Sequence, residues 1–187
     1  MRRITLDIET TAAVGFDTAA MEMSLIGIHD SLTDELSSYT VPELGRLWPI
    51  LESADLLVGF NSDHFDIPIL NKYYAGDLSQ IKSVDILTSV KESLGRRIKL
   101  DSIAQATLGR GKTGHGLDAV TWWAEGQVEK VRKYCLEDVK ITKEIYEFAL
   151  KNGYVRYTDF GEKKKIPLDT RAWETGAKAS LTHTLPF

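Results

Sequence analysis

Cysteine is almost missing from this chain: Cys135 is the only one in 187 residues. No internal disulfide is therefore possible, and a reducing, cytoplasmic setting is expected. The four histidines, His29, His64, His115 and His183, are scattered and show no zinc-site spacing. No apolar run is long enough to cross a bilayer, and the first residues hold no secretory apolar stretch, so no membrane partner is expected. Internal repeats and low-complexity segments are absent. An excess of positive charge is missing too: the net charge is −4, which does not advertise a nucleic-acid binder. What remains is the composition of an ordinary globular chain, long enough for one domain with a good core.

The charge is unevenly spread. Residues 1–150 carry 16 Lys+Arg against 23 Asp+Glu, and residues 151–187 carry 7 against 4. Between 91 and 115, Lys91, Arg96, Arg97, Lys99, Arg110 and Lys112 stand against Glu92 and Asp101. Such a chain can gather carboxylates around metal ions and still offer local basic patches to phosphates. A solvated surface is the plainer reading of the same runs.

Three strands are expected first: one over Met1 to Thr11, then Met23 to Ile28 and Glu35 to Val41, joined by polar turns. Thr11 to Ala20 reads as a loop. Pro42 opens a helix carrying Leu44, Leu47, Trp48 and Leu51, with Pro49 either kinking it or marking a later start. Asp55 to Phe60 is a short apolar run, the pattern of a strand buried on both faces. Asn61-Ser62-Asp63 caps the next helix, which runs to Ala75-Gly76. Ile81 to Leu87 is a fifth strand entering a helix, and Leu100 to Leu108 is an amphipathic helix. Gly109 to Gly116 is a basic glycine-rich loop. Gln127 to Leu150 is a long helix closed by Gly153, and Tyr154 to Pro167 a terminal hairpin. The pattern predicts an α/β domain with a mixed sheet of about five strands, the first antiparallel and the later ones parallel.

Three acidic sites stand out. In Leu6-Asp7-Ile8-Glu9-Thr10 the two carboxylates share one strand face, and Ile4, Leu6 and Ile8 share the other. Two like charges on one face repel, and a divalent cation between them is one remedy; a solvated edge strand is the other reading. Gly59-Phe60-Asn61-Ser62-Asp63-His64-Phe65-Asp66 follows the C-terminal end of a buried strand, where ligands gather in open α/β sheets. Asp63 and Asp66 are both candidates there, with a helix cap and a helix-dipole role as the plainer readings. Tyr134 and Asp138 lie four apart on one face of the long helix. That face is otherwise apolar, so Asp138 must be paired, protonated or metal-bound.

Leu6-Asp7-Ile8-Glu9-Thr10, Asn61-x-x-x-Phe65-Asp66 and Tyr134-Cys135-x-x-Asp138 together resemble the three motifs of the DEDDy 3′–5′ exonucleases of the RNase H-like superfamily. The flanks Gly59-Phe60-Asn61 and Asp66-Ile67-Pro68-Ile69-Leu70 are similar to the proofreading exonuclease domain of family B DNA polymerases. The gaps, roughly 50 and 70 residues, also fit, since loop lengths vary freely. The resemblance spans about residues 3–150. It implies an RNase H-like fold over 1–152, with 153–187 as a C-terminal extension. No polymerase domain follows, so a stand-alone enzyme is expected rather than a proofreading one.

The resemblance implies two divalent ions, Mg2+ or Mn2+, held by Asp7, Glu9, Asp66 and Asp138. Asp7 bridges both, Glu9 and Asp138 hold the ion that activates water, and Asp66 acts mainly on the other. Two such ions clamp an in-line displacement at phosphorus. Tyr134 orients the attacking water, since its free pKa near 10 suits it poorly as a base. Thr10, Asn61 and Phe65 are the implied substrate contacts, with core packing as the plainer reading of Phe65 and a turn role that of Asn61.

The expected activity is release of nucleoside 5′-monophosphates from a single-stranded DNA 3′ end. Three alternatives stay open: an exoribonuclease on the same site, a non-catalytic nucleic-acid-binding or docking module, and a subunit serving a polymerase or helicase through the basic C-terminal tail. Ala106-x-x-x-x-Gly111-Lys112-Thr113 imitates a phosphate loop, but it lacks the first glycine and the preceding strand. Arg110 and Lys112 of that loop are candidate contacts for a substrate backbone, or simply an exposed loop.

Overall fold

The computed structural model describes residues 1–12, 18–111 and 116–176. Strands β1 (Arg3–Thr10), β2 (Met23–Asp30) and β3 (Glu35–Thr40) form an antiparallel meander. Strands β4 (Leu56–Gly59) and β5 (Ser83–Asp85) then add in parallel on the other side of β1. The order is β3-β2-β1-β4-β5, the mixed five-stranded sheet that the sequence pattern predicts.

Helices α1 (Trp48–Glu52) and α2 (Asp66–Leu70) lie on one side of the chain's core. Their Leu51, Ile67, Ile69 and Leu70 share one apolar cluster with Ile4, Leu6 and Ile8 of β1. α3 (Ile86–Leu94), α4 (Leu100–Leu108) and α6 (Val128–Asn152) build a second cluster with Leu56 and Val58 of β4. The hairpin β6 (Tyr154–Asp159) and β7 (Glu162–Pro167) joins that second cluster through Val155, Tyr157 and Ile166. Strand side chains alternate faces, so the apolar half of β1 is committed to α1 and α2. Its other half is left for α6. None of the described helices is long and apolar enough to cross a membrane.

Several elements differ from expectation. The helix expected from Pro42 is two pieces, a 3₁₀ turn over Val41–Arg46 and then α1. The break falls at Leu47 because Pro49 has no N–H to give and takes a place in the first turn of α1. The helix expected to reach Gly76 stops at Leu70. Beyond it Lys72 N and Tyr73 N bond three residues back rather than four. The Asn71 side chain then accepts Leu78 N at 2.8 Å and donates to Asp77, which turns the chain away. Asp63 does not cap α2, because its carboxylate accepts Ser83 Oγ at 2.7 Å. Helix α5 (Gly116–Ala124) was not expected at all. Parts of the Thr11 to Ala20 loop, Lys112 in the glycine-rich loop, and residues 177–187 lie outside the described residues.

Candidate active site

Asp7 and Glu9 stand on the face of β1 that α6 covers. Glu9 is buried and Asp7 half-buried. Asp7 is paired across the sheet with Gly27 of β2. A Cβ at Gly27 would come 2.9 Å from Cys135 Sγ and 3.1 Å from Val139 Cγ2, so the glycine is what lets α6 approach the sheet here. The Cys135 thiol donates to the backbone oxygen of Asp7 at 3.3 Å and lies 3.8 Å from its Oδ2. Just past Glu9 the β1–β2 register shifts, a bulge that re-aims the end of the strand.

From α6 come Tyr134 and Asp138, both buried. Tyr134 packs with Leu25, the partner of Glu9 in the ladder, and meets Trp122 of α5 edge-on at 5.9 Å. Asp138 lies one turn beyond Cys135. Burial pushes the Cys135 thiol well up, and the charges of Asp7, Glu9 and Asp138 add to the effect. Asp7, Glu9 and the Cys135 sulfur lie within 4.8 Å of one another, and Asp138 follows on the same helix as that sulfur.

Asp66 reaches the same strand from the other side. It is the first residue of α2 and is 3 % exposed. Its Oδ1 accepts the N–H of Ile8, the residue between Asp7 and Glu9, at 2.9 Å. β4 pairs with β1 only as far as Thr5, so beyond that point Asp66 serves the strand as acceptor.

The remaining candidates are more dispersed. Thr10 donates its hydroxyl to Ala12 O at 3.3 Å. Phe65 is half-buried against the α1–α2 cluster. Asn61 adopts a left-handed backbone, φ 70°, and its Oδ1 accepts Arg97 Nη2 at 2.6 Å. Arg110 is held by Glu137 at 2.7 Å and by Glu144 on α6, so this cation of the loop acts as a strut. Lys112 lies outside the described residues.

Two organising residues escaped the sequence reading. Asp85, 4 % exposed, ends β5 and caps α3 through Leu87 N and Thr88 N. The same carboxylate accepts Asn61 N at 2.8 Å and Asp63 N at 3.3 Å, and so shapes the loop that delivers Asp66. Its signal was an Asp between an apolar strand and an apolar helix, the usual mark of an N-cap. Gly27 is the other; a lone glycine inside a strand often marks a close backbone approach.

The donor set suits a hard divalent cation. One ligand atom each from Asp7, Glu9 and Cys135 lies within 4.8 Å of the others. The thiol is held protonated and spends its hydrogen on Asp7 O, so the donors left for a metal are carboxylate oxygens, the preference of Mg2+ or Mn2+. Carboxylates this close, one buried and one half-buried, repel, and a cation between them removes that cost.

A family model described as RNase_H superfamily matches residues 4–150. Among solved structures, the chain is similar to the family B DNA polymerase from the hyperthermophilic archaeon Pyrobaculum calidifontis, with a TM-score of 0.64 and 18% identity. That match covers 80% of this chain and 24% of the polymerase chain, so the likeness is one of fold over about a quarter of the polymerase. A comparison with curated protein sequences finds no match.

Proposed function

The chain belongs to the RNase H superfamily, and from that premise we propose that it is a metal-dependent 3′–5′ exonuclease acting on single-stranded DNA. One observation carries the reading. Asp66 accepts the Ile8 N–H between Asp7 and Glu9, and the Cys135 thiol bonds to Asp7 O from the helix that carries the buried Asp138. DNA is favoured as substrate because the similar solved structure is a DNA polymerase. We take residues 1–152 as the exonuclease domain and 153–187 as a C-terminal extension, packed on or trailing it; Val155, Tyr157, Ile166, Leu168 and Trp173 of the extension share the second apolar cluster.

Asp7, Glu9, Asp66 and Asp138 would hold two divalent cations, Mg2+ or Mn2+. When bound, these cations supply an activated water and neutralise charge on the leaving 3′ oxygen. Glu9 and Asp138 would hold the cation that activates water, and Asp66 would act mainly on the other. Tyr134 aims the water through its hydroxyl; with a free pKa near 10 it positions rather than deprotonates. Ile8 fixes Asp66 through its N–H, and Cys135 fixes the backbone at Asp7. Thr10, Asn61 and Phe65 hold the terminal nucleotide. The product is a nucleoside 5′-monophosphate.

The test is a pair of oligonucleotides of one sequence, one DNA and one RNA, incubated with Mg2+ or Mn2+ and analysed for released nucleotides. Nucleoside 5′-monophosphates released faster from DNA support the proposal. Faster release from RNA makes the protein an exoribonuclease. No release from either, with no thermal stabilisation by metal, makes it a binding or docking module on a nuclease fold.

A further inference from the structure

The turn between β6 and β7 holds a side chain that the fold does not account for. Asp159 pairs with Glu162, so Phe160 and Gly161 alone make the connection. Their φ values are 47° and 83°, as in a two-residue type I′ turn. That turn favours Asn-Gly or Asp-Gly, and a bulky residue in the left-handed region is strained. Nor does the ring recover anything by packing, because Phe160 is fully exposed. The sequence therefore carries both backbone strain and bare apolar surface at one position. Such costs persist where the surface has a use.

The surroundings indicate which use. Arg96 Nη2 and Lys164 Nζ both bond to the Asp159 carboxylate, at 3.1 and 2.8 Å. With Lys163 on the same strand as Lys164, three cations stand against the two carboxylates Asp159 and Glu162 beside the ring. The next residue, Arg97, bonds to Asn61, in the loop that delivers Asp66. Asn61, His64, Lys91, Glu92 and Arg97 line an open cleft of about 210 Å³, with two cations against one carboxylate. Basic side chains thus outnumber acidic ones from the hairpin tip to the loop that delivers Asp66, with an aromatic face at the outer end. A basic groove with an aromatic platform is how proteins hold a single strand without reading its sequence.

We propose that Phe160 is a stacking contact for a base of the single-stranded substrate, whose backbone phosphates lie along Arg96, Arg97 and Lys91 on the way to the carboxylates. The direction of the strand rests on the exonuclease reading above; the contact itself does not.

The test is binding of a 5′-fluorescein oligothymidylate, about twelve nucleotides long, followed by anisotropy in EDTA so that nothing is cleaved. Phe160→Asn suits the turn but removes the ring, and Phe160→Trp keeps an aromatic face. The Asn variant should melt no lower than wild type and bind about tenfold more weakly or worse, given what one stacked base contributes. The Trp variant should stay within about threefold of wild type. Equal affinity of the Asn variant overturns the proposal, as does a wild-type protein that binds no oligonucleotide at low salt. The two readings separate on adding Mg2+. Shortening by wild type and Phe160→Asn with one KM removes the tip contact and leaves the exonuclease. An affinity loss in Phe160→Asn without shortening by either protein leaves the tip contact and removes the exonuclease.

Discussion

Gly27 and Cys135 touch across the sheet–helix interface: a Cβ on the glycine would stand 2.9 Å from the sulfur. The contact lies directly opposite Asp7 in the β1–β2 ladder. It sets how far α6, and with it Tyr134 and Asp138, stands from β1. Gly27→Ala should therefore cost about 1–3 kcal/mol of stability by overpacking, read from urea unfolding. It should also slow nuclease turnover by displacing Asp138. Adding Cys135→Ala should restore at least half of the lost stability, since the two sites share one contact.

On the proposed function Asp66 has two duties, metal binding and acceptance of the Ile8 N–H, and two substitutions separate them. Asp66→Asn keeps an oxygen to accept the Ile8 N–H but gives up the charge. Its melting temperature should stay near wild type, while turnover falls about a hundredfold or more. Asp66→Ala should lose turnover equally. It should also lose about 1–3 kcal/mol, the cost of leaving a buried backbone donor without its acceptor. Thermal melts and initial rates of the two variants, side by side, check both duties.

Asp138 is buried beside a thiol that feels Asp7 and Glu9 as well. In the absence of metal this crowding of negative charge opposes folding. Mn2+ should raise the melting temperature of the wild type; Asp138→Asn should raise that of the metal-free protein and abolish the further rise with Mn2+. Ligand binding stabilises only where the site binds. Differential scanning fluorimetry with EDTA and with Mn2+ reads both effects; a variant still stabilised by Mn2+ would remove Asp138 from the metal set.

Glu43 gives the acid response a definite window. Its carboxylate accepts Thr40 N and is bonded by Arg132 of α6, which together lower its pKa from 4.5 to about 2. A carboxylate with a depressed folded-state pKa contributes stability above its unfolded value and loses it as pH falls through the folded one. The melting-temperature gap between wild type and Glu43→Gln should thus be full at pH 6. It should shrink between about 4.5 and 2.

Much of the fold was legible because each of its parts has a local cause. The alternation in β1, the apolar run of β4 and the period of α6 each dictate one element. Together they dictate the order of a mixed sheet. The carboxylates were legible for a related reason: Asp7 and Glu9 on one strand face, and Tyr134 and Asp138 on one helix face, follow from spacing alone. What escaped depends on contacts between distant segments. Asp85 looks like an ordinary cap until Asn61 N and Asp63 N are found on the same oxygens. Gly27 matters only because Cys135, over a hundred residues later, arrives against it. Asp63 reads as a cap for α2, yet it faces Ser83, since β5 lies beside the loop. Pro49 and Asn71 ended helices that apolar spacing alone would continue.

On the proposed function, Asp7 and its neighbours remove nucleotides from a 3′ end. A 5′-labelled single-stranded DNA oligonucleotide, incubated with Mg2+, with Mn2+ or with EDTA, tests it most directly when Asp7→Ala is run alongside. The account predicts a ladder that shortens from the 3′ end with metal and is absent both with EDTA and in the variant. An unchanged oligonucleotide with either metal at high enzyme, or a ladder that Asp7→Ala still produces, would contradict it.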